Sequence, residues 1–157
     1  IKKKFNTQKS KFKNINLNLQ RKDLCVSPSD FGFQNTLISK NIVYFIDFEY
    51  AGLDDPVKCM LDFFLNPNHK NLDTKDFYFF LSKMKFFVKE QVLDENRIIF
   101  LYEILRIKWC CILLNIFDKN YFKRKIFSDK LSDNNKFKEM QLLKVSDYIG
   151  RKKLFNI

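Results

Sequence analysis

Between Ile98 and Phe117 the chain runs through twelve Ile, Leu and Phe residues, and what that run can become limits the rest of the fold. It is long enough to span a bilayer, but Glu103, Arg106 and Lys108 stand near its middle. At a bilayer centre each charge costs about 2.5–3.5 kcal/mol, about 8–10 together, while the apolar residues return about 4–7 on the same scale. Insertion loses. The run reads as a core helix over about 94–117, apolar around most of its circumference.

A chain of 157 residues can close one domain around such a helix, and 19 Phe supply apolar volume for it. Three Gly and three Pro leave few places for unusual backbone geometry. The expected fold class is α+β, mainly α-helical. The chain opens at Ile1 without Met or a targeting signal, which reads as part of something longer. Cys25, Cys59, Cys110 and Cys111 contain no C-x-x-C pair, and one His is too few to complete a usual zinc set. Buried free thiols in a reducing cytosol are expected, hence a cytoplasmic location.

Charge is uneven. The net is +11, yet residues 23–71 carry three bases against seven acids, net −4. Residues 1–22 carry eight bases and no acid, and residues 72–157 carry eighteen bases and eleven acids. A basic chain can attract nucleic acid or acidic lipid. Here few exposed-looking aromatics are interleaved with the basic runs, which counts against a nucleic-acid platform; the bland reading is a solvated Lys-rich surface.

Local signals divide the acidic stretch. Leu24-Cys25-Val26 is a short apolar run stopped by Ser27-Pro28. Residues 36–38 and 42–47 read as a hairpin with a three-residue turn at 39–41, its second strand apolar on both faces and therefore buried. A strand over 15–19 is a further expectation. Asp54-Asp55-Pro56 marks a helix start, with acid caps before Pro at the first helical position; that helix should stop at Asn66-Pro67-Asn68. Another should begin after Asp73 or Thr74, with Phe77, Phe80, Leu81, Met84, Phe87 and Val88 on one face. A short helix near 121–127 and an amphipathic one over about 135–155 complete the reading. His69 is expected to face solvent in a loop, and Trp109 to lie in the core.

Within the acidic stretch stands a constellation that can do chemistry. Asp30 follows the end of an apolar run, Asn35 comes five residues later, and Asp47-Phe48-Glu49 closes the second hairpin strand. Phosphoryl transfer asks little covalent help of a protein: it needs the acceptor hydroxyl in line and the phosphate charge neutralised. A carboxylate on a tight loop can steer the hydroxyl proton, and magnesium takes hard oxygens from one or two carboxylates with phosphate and water. If the strand persists past Asp47, Glu49 shares its face as a second ligand, direct or through water.

The stretch from Leu24 to Phe64 resembles the catalytic core of the aminoglycoside phosphotransferase and choline/ethanolamine kinase family. That family carries an H-x-D-x4-N loop and then a strand ending in I-D-[FW]-E, often followed by Y-A-G. The matching residues are Pro28-Ser29-Asp30 through Asn35, then Ile46-Asp47-Phe48-Glu49-Tyr50-Ala51-Gly52. The resemblance implies a protein-kinase-like C-terminal lobe over residues 1–157, with a small hairpin carrying the catalytic and metal-binding loops. It implies Asp30 and Asn35 as catalytic residues, and Asn35 and Asp47 with Glu49 around Mg²⁺. It further implies ATP as donor and a small-molecule hydroxyl as acceptor, an amino sugar, sugar or amino alcohol. Two departures stand out: Pro28 replaces the family His and Ser29 the usual Gly. The sequence also holds no Gly-rich nucleotide-covering loop, so the N-terminal lobe is expected to be absent from this chain and to act as its partner. The alternative is a non-catalytic kinase-like or basic module that binds nucleic acid or protein.

Overall fold

The computed structural model describes residues 5–7, 10, 15, 17–69, 71–129, 134–151 and 154. Two antiparallel strand pairs accompany a series of helices. The mixed, mainly helical class expected from composition is the one observed. The chain divides into two compact units at Leu105/Arg106, within its longest helix.

The first unit opens with a 3₁₀ turn, Arg21–Asp23, and strand β1, Cys25–Ser27. A second 3₁₀ turn, Phe33–Asn35, leads directly into β2, Thr36–Ser39, and β3, Ile42–Phe45. β2 and β3 pair from Thr36↔Phe45 to Ser39↔Ile42. The connection is therefore two residues, Lys40 and Asn41, rather than three. Both have positive φ, 48° and 61°, the mirror-image turn whose twist matches the strands it joins. β4, Gly52–Asp54, folds back on β1 with Cys25↔Asp54 and Ser27↔Gly52.

The expectation of a buried β3 fails. All four of its residues are exposed, with Val43 at 53 %. The reason is architectural: its sheet has only two strands, and among the described residues neither face of β3 is covered well enough to bury it. The strand expected over 15–19 is also not formed at its described positions, 15 and 17–19; residue 16 lies outside the described residues.

Helix α1, Pro56–Leu65, begins where the caps predict. Asp55 is its N-cap and accepts from Val57 N–H and Lys58 N–H, with Pro56 at the first helical position. Such a cap contributes about 1 kcal/mol. The buried set Val57, Met60, Leu61, Phe64 and Leu65 repeats at the three-and-four spacing of a helix with one core face, each side chain contributing about 1.5–3 kcal/mol by burial. Helix α2, Thr74–Met84, starts with a reciprocal capping box between Asp73 and Asp76. It sends Phe77 and Phe80 against Phe64, ring centroids 5.4 and 5.8 Å apart.

Helix α3, Glu95–Leu114, is the run read first from the sequence, continued by a 3₁₀ turn at Asn115–Phe117. In the first unit it buries Arg97, Ile98, Tyr102 and Leu105. Buried Arg97 donates to the Val92 carbonyl at 2.9 Å and pairs with Asp55. No helix among the described residues is long and apolar enough to cross a membrane.

The second unit contains the end of α3 with α4, Lys119–Asp129, and α5, Asn134–Gly150. Arg106 donates to the carbonyl of Ile149 at 2.9 Å, and Val145 and Tyr148 are buried. The expected extension of the last helix to 155 is not seen: Arg151 is already outside it, and residues 152, 153 and 155 lie outside the described set.

Candidate functional site

The backbone between β1 and β2 is shaped around Asp30. The N–H of Asp30 donates to the Pro28 carbonyl at 2.9 Å, closing a three-residue turn on Ser29. Ser29 has φ 70°, the rare, strained hand of that turn. A non-glycine residue held there costs about 1–3 kcal/mol and persists only where its surroundings impose it. The imposing group is Ser27, 2 % exposed, whose Oγ accepts from Ser29 N–H at 3.0 Å and lies 3.5 Å from Cys59 Sγ on α1.

Beyond Asp30 the chain is pinned by rings. Phe31 packs on Phe63 at 5.0 Å and on Phe45 at 5.5 Å, and Phe33 packs on Phe63 at 5.0 Å. The loop is thus seated on α1 and on the end of β3 together. The Asp30 carboxylate projects into the exposed region and accepts from two amides of the same turn, Gln34 Nε2 at 3.2 Å and Asn35 Nδ2 at 3.2 Å. Asn35 Nδ2 also donates to the Asp30 carbonyl at 2.8 Å. Asp30 and Asn35 are therefore brought together, as the five-residue spacing suggested.

Asp47 is brought to the same loop by main-chain pairing. Ile46 N–H donates to the Asn35 carbonyl at 2.9 Å, one step beyond the Thr36↔Phe45 pair. Asp47 comes next, two residues past the end of β3 rather than on it, at φ 65°. Asp tolerates this left-handed conformation better than most residues. Its carboxylate is exposed and has no hydrogen-bond or ion-pair partner among the described residues.

Glu49 does not share a strand face with Asp47. The strand has ended, and Glu49 lies in a turn closed by Ala51 N–H on the Phe48 carbonyl at 3.0 Å. The left-handed backbone at Asp47 breaks the alternation on which that expectation relied.

Do these residues suit a divalent cation? Among the described residues no group of three or more His, Cys, Asp or Glu converges as a self-sufficient metal site. Magnesium held between protein and nucleotide needs fewer protein ligands, one or two carboxylates with phosphates and water. The donor set fits that case. Asn35 spends its amide N–H on Asp30, which leaves Oδ1, a hard oxygen, without a hydrogen bond among the described residues, and Asp47 adds an unpaired carboxylate.

A cavity of about 410 Å³ opens in the same unit, walled by Pro28, Phe31 and Phe48 from the loops, by Phe45 from the end of β3 and by Met60 and Phe80 from α1 and α2. None of Asp30, Asn35 or Asp47 lines it. Burial pushes the Cys25 thiol at its edge up to about 11, with Cys59 nearby adding to the shift.

His69 overturns its expectation. It is 6 % exposed, not in solvent, and it belongs to the site loop. Its Nε2 accepts from Phe33 N–H at 3.2 Å, its Nδ1 lies 2.7 Å from the Phe63 carbonyl, and its ring sits 4.6 Å from that of Phe33. Nothing local in Asn66-Pro67-Asn68-His69 marks this, because Phe33, which covers the ring and donates to it, comes from 36 positions earlier.

No family model, curated protein or solved structure matches the chain. A functional reading stands on the residues and their geometry.

Proposed function

We propose that the chain is the catalytic lobe of an ATP-dependent phosphotransferase of the protein-kinase-like type, moving the γ-phosphoryl group to a hydroxyl of a small molecule. The observation that carries the reading is the Asp30–Asn35–Asp47 arrangement: one carboxylate fixed by two amides and, among the described residues, one amide oxygen left unengaged and a second carboxylate, tied to the same loop, left unpaired. Two non-glycine residues here are left-handed, Ser29 beside Asp30 and Asp47 itself, and such strained positions gather at functional sites.

In this reading Asp30 orients the acceptor hydroxyl and takes its proton. Gln34 and Asn35 hold the carboxylate in place, so its orientation need not be found at each turnover. Asn35 Oδ1 and Asp47 would hold Mg²⁺, which when bound neutralises phosphate charge. Glu49 is the auxiliary group near the metal or the acceptor. ATP is the phosphoryl donor, and an N-terminal lobe of the same protein would cover the nucleotide. An amino sugar, sugar or amino alcohol is the acceptor class to try first.

The test is ADP release by the intact protein with Mg²⁺, ATP and a panel of such acceptors. Turnover should vanish in Asp30→Asn and in Asp47→Asn, with unfolding midpoints close to that of the parent. Activity surviving in both variants would remove these residues from their roles.

A further inference from the structure

The chain contains one histidine, and its two ring nitrogens face groups of opposite kinds. Nδ1 stands 2.7 Å from the carbonyl oxygen of Phe63. A carbonyl can only accept, so Nδ1 carries a proton and donates it there. In the neutral ring Nε2 is then an acceptor, filled by Phe33 N–H at 3.2 Å. A second atom competes for the same nitrogen: Gln34 Oε1 at 3.3 Å. It too can only accept, so it gains nothing from a neutral Nε2. The other end of the Gln34 amide donates to Asp30 Oδ1 at 3.2 Å.

We propose that His69 is a positioning residue for Asp30, acting through Gln34, and that a proton gained on Nε2 exchanges its partner from Phe33 N–H to Gln34 Oε1. The proton comes from solvent. Once Nε2–H is formed, Phe33 N–H faces a donor and must move away, while Gln34 Oε1 becomes an acceptor for it. The amide that steadies Asp30 is thereby pulled on from its far side, and the 3₁₀ turn between them is reset.

The surroundings suit this role. The ring is clamped by Phe33 and Phe63, with centroids 4.6 and 4.8 Å away, and the main-chain N–H of His69 donates to the Asn66 carbonyl at 3.0 Å. None of these groups titrates. On α1 the charged neighbours of Phe63 in sequence and along the helix are Asp62 and Lys58, 3.4 Å from each other. On the loop the charge is Asp30 itself, reached through Gln34. Lys70, next in sequence, lies outside the described residues.

The catalytic consequence rests on the phosphotransferase reading; the coupling from His69 to Asp30 does not. The test therefore has a readout that needs no substrate. In a pH titration of the whole chain by NMR, the Phe33 main-chain amide and the Gln34 side-chain amide should shift with the midpoint of the His69 ring. The Asp30 carboxyl carbon should show an inflection at that midpoint. In Gln34→Ala, a change at an exposed residue, that Asp30 inflection should vanish while the His69 ring signals still move with pH. An Asp30 carbon blind to His69 in the parent, or an inflection unchanged in Gln34→Ala, overturns the proposal.

Activity provides the second arm. His69→Gln offers Phe33 N–H an acceptor that does not titrate, so it should lower kcat less than His69→Ala, which should lower it about tenfold or more, and it should lose the acid-side dependence attributed to His69. Coupling seen by NMR in a chain without phosphotransfer would sink the functional reading and leave this one standing. Identical pH profiles in His69→Gln and the parent would sink the positioning role.

Discussion

Asn35 Nδ2 donates to Asp30 twice, to its carbonyl at 2.8 Å and to its carboxylate at 3.2 Å. One amide group thus fixes the acid that would steer the acceptor and, by facing that way, turns its own oxygen free. The two tasks can be separated by substitution. Asn35→Asp retains an oxygen for the metal but replaces a donor with an acceptor, leaving two carboxylates at hydrogen-bond distance. The two carboxylates repel each other, and the donor that held Asp30 is gone. kcat at neutral pH should fall about a hundredfold, with the Mg²⁺ requirement retained. Asn35→Ala should instead raise the Mg²⁺ concentration needed for half-maximal ADP release. A kcat in Asn35→Asp close to the parent's would show that the Asn35 amide does not hold Asp30 for catalysis.

Ser29, at φ 70°, offers a stability measurement. Glycine adopts this conformation without strain, but it also adds freedom to the unfolded chain, which costs about 0.5–1 kcal/mol. Relief of about 1–3 kcal/mol should exceed that. Ser29→Gly is therefore expected to gain about 1 kcal/mol, a rise of about 2–4 °C in Tm for a chain of this size. A urea midpoint at or below the parent's would mean that the backbone at Ser29 stores no strain.

Helix starts could be read from the sequence because caps are local chemistry. Asp55-Pro56 and the Asp73–Asp76 pair specify α1 and α2 within four residues, and both helices begin where expected. The Asp30–Asn35 contact was legible for the same reason, spanning one short turn. What escaped depends on residues far apart. β4 exists because Gly52 to Asp54 find Ser27 to Cys25, a pairing that no window around Gly52 contains. His69 is buried by Phe33 and Phe63, so its sequence neighbours suggest only a loop. β3 misled in the opposite direction: its apolar composition implied cover on both faces that a two-stranded sheet does not supply. Glu49 was misplaced by a backbone feature, the positive φ of Asp47, that an aspartate does not announce.

Arg97 and Asp55 make an unequal pair for mutagenesis. Arg97 is 2 % exposed, and the Asp55 carboxylate both caps α1 and pairs with its guanidinium. Arg97→Met removes the buried charge and fills much of its volume, and Asp55 keeps its cap and some contact with water. Asp55→Asn also keeps a capping oxygen, but it leaves a buried cation without its anion. Removing one partner of a buried pair costs about 3–5 kcal/mol, while replacing the buried ion by an apolar side chain is often close to neutral. Chemical denaturation should therefore rank Asp55→Asn well below Arg97→Met. The reverse order would mean that the pair stabilises the fold by attraction across it, more than by keeping a buried charge satisfied.

The thiols at the edge of the apolar cavity lead to a prediction about alkaline pH. Burial, reinforced by Cys59 and then Asp54, pushes Cys25 up to about 11, and burial raises Cys59 too. The folded chain therefore keeps the Cys25 proton through a range in which the unfolded chain, with its thiol near the ordinary value of 9.0, has released it. Fewer protons on the unfolded state make stability fall as pH rises. The contribution is intact below pH 9, declines between pH 9 and about 11, and is constant above. Cys25→Ser, which has no thiol to titrate, should show a flatter alkaline limb in denaturant midpoint against pH. The same shift slows alkylation, because the thiolate is the reacting form and at pH 8 only about one part in a thousand of a group with pKa near 11 is ionised. Exposed Cys111 should be modified by iodoacetamide first and Cys25 only slowly, as read by mass spectrometry of the native chain. Rapid labelling of Cys25 at pH 8 would show that its side of the cavity is open to water, and that the apolar wall formed by Phe31, Phe45 and Phe48 does not hold in solution.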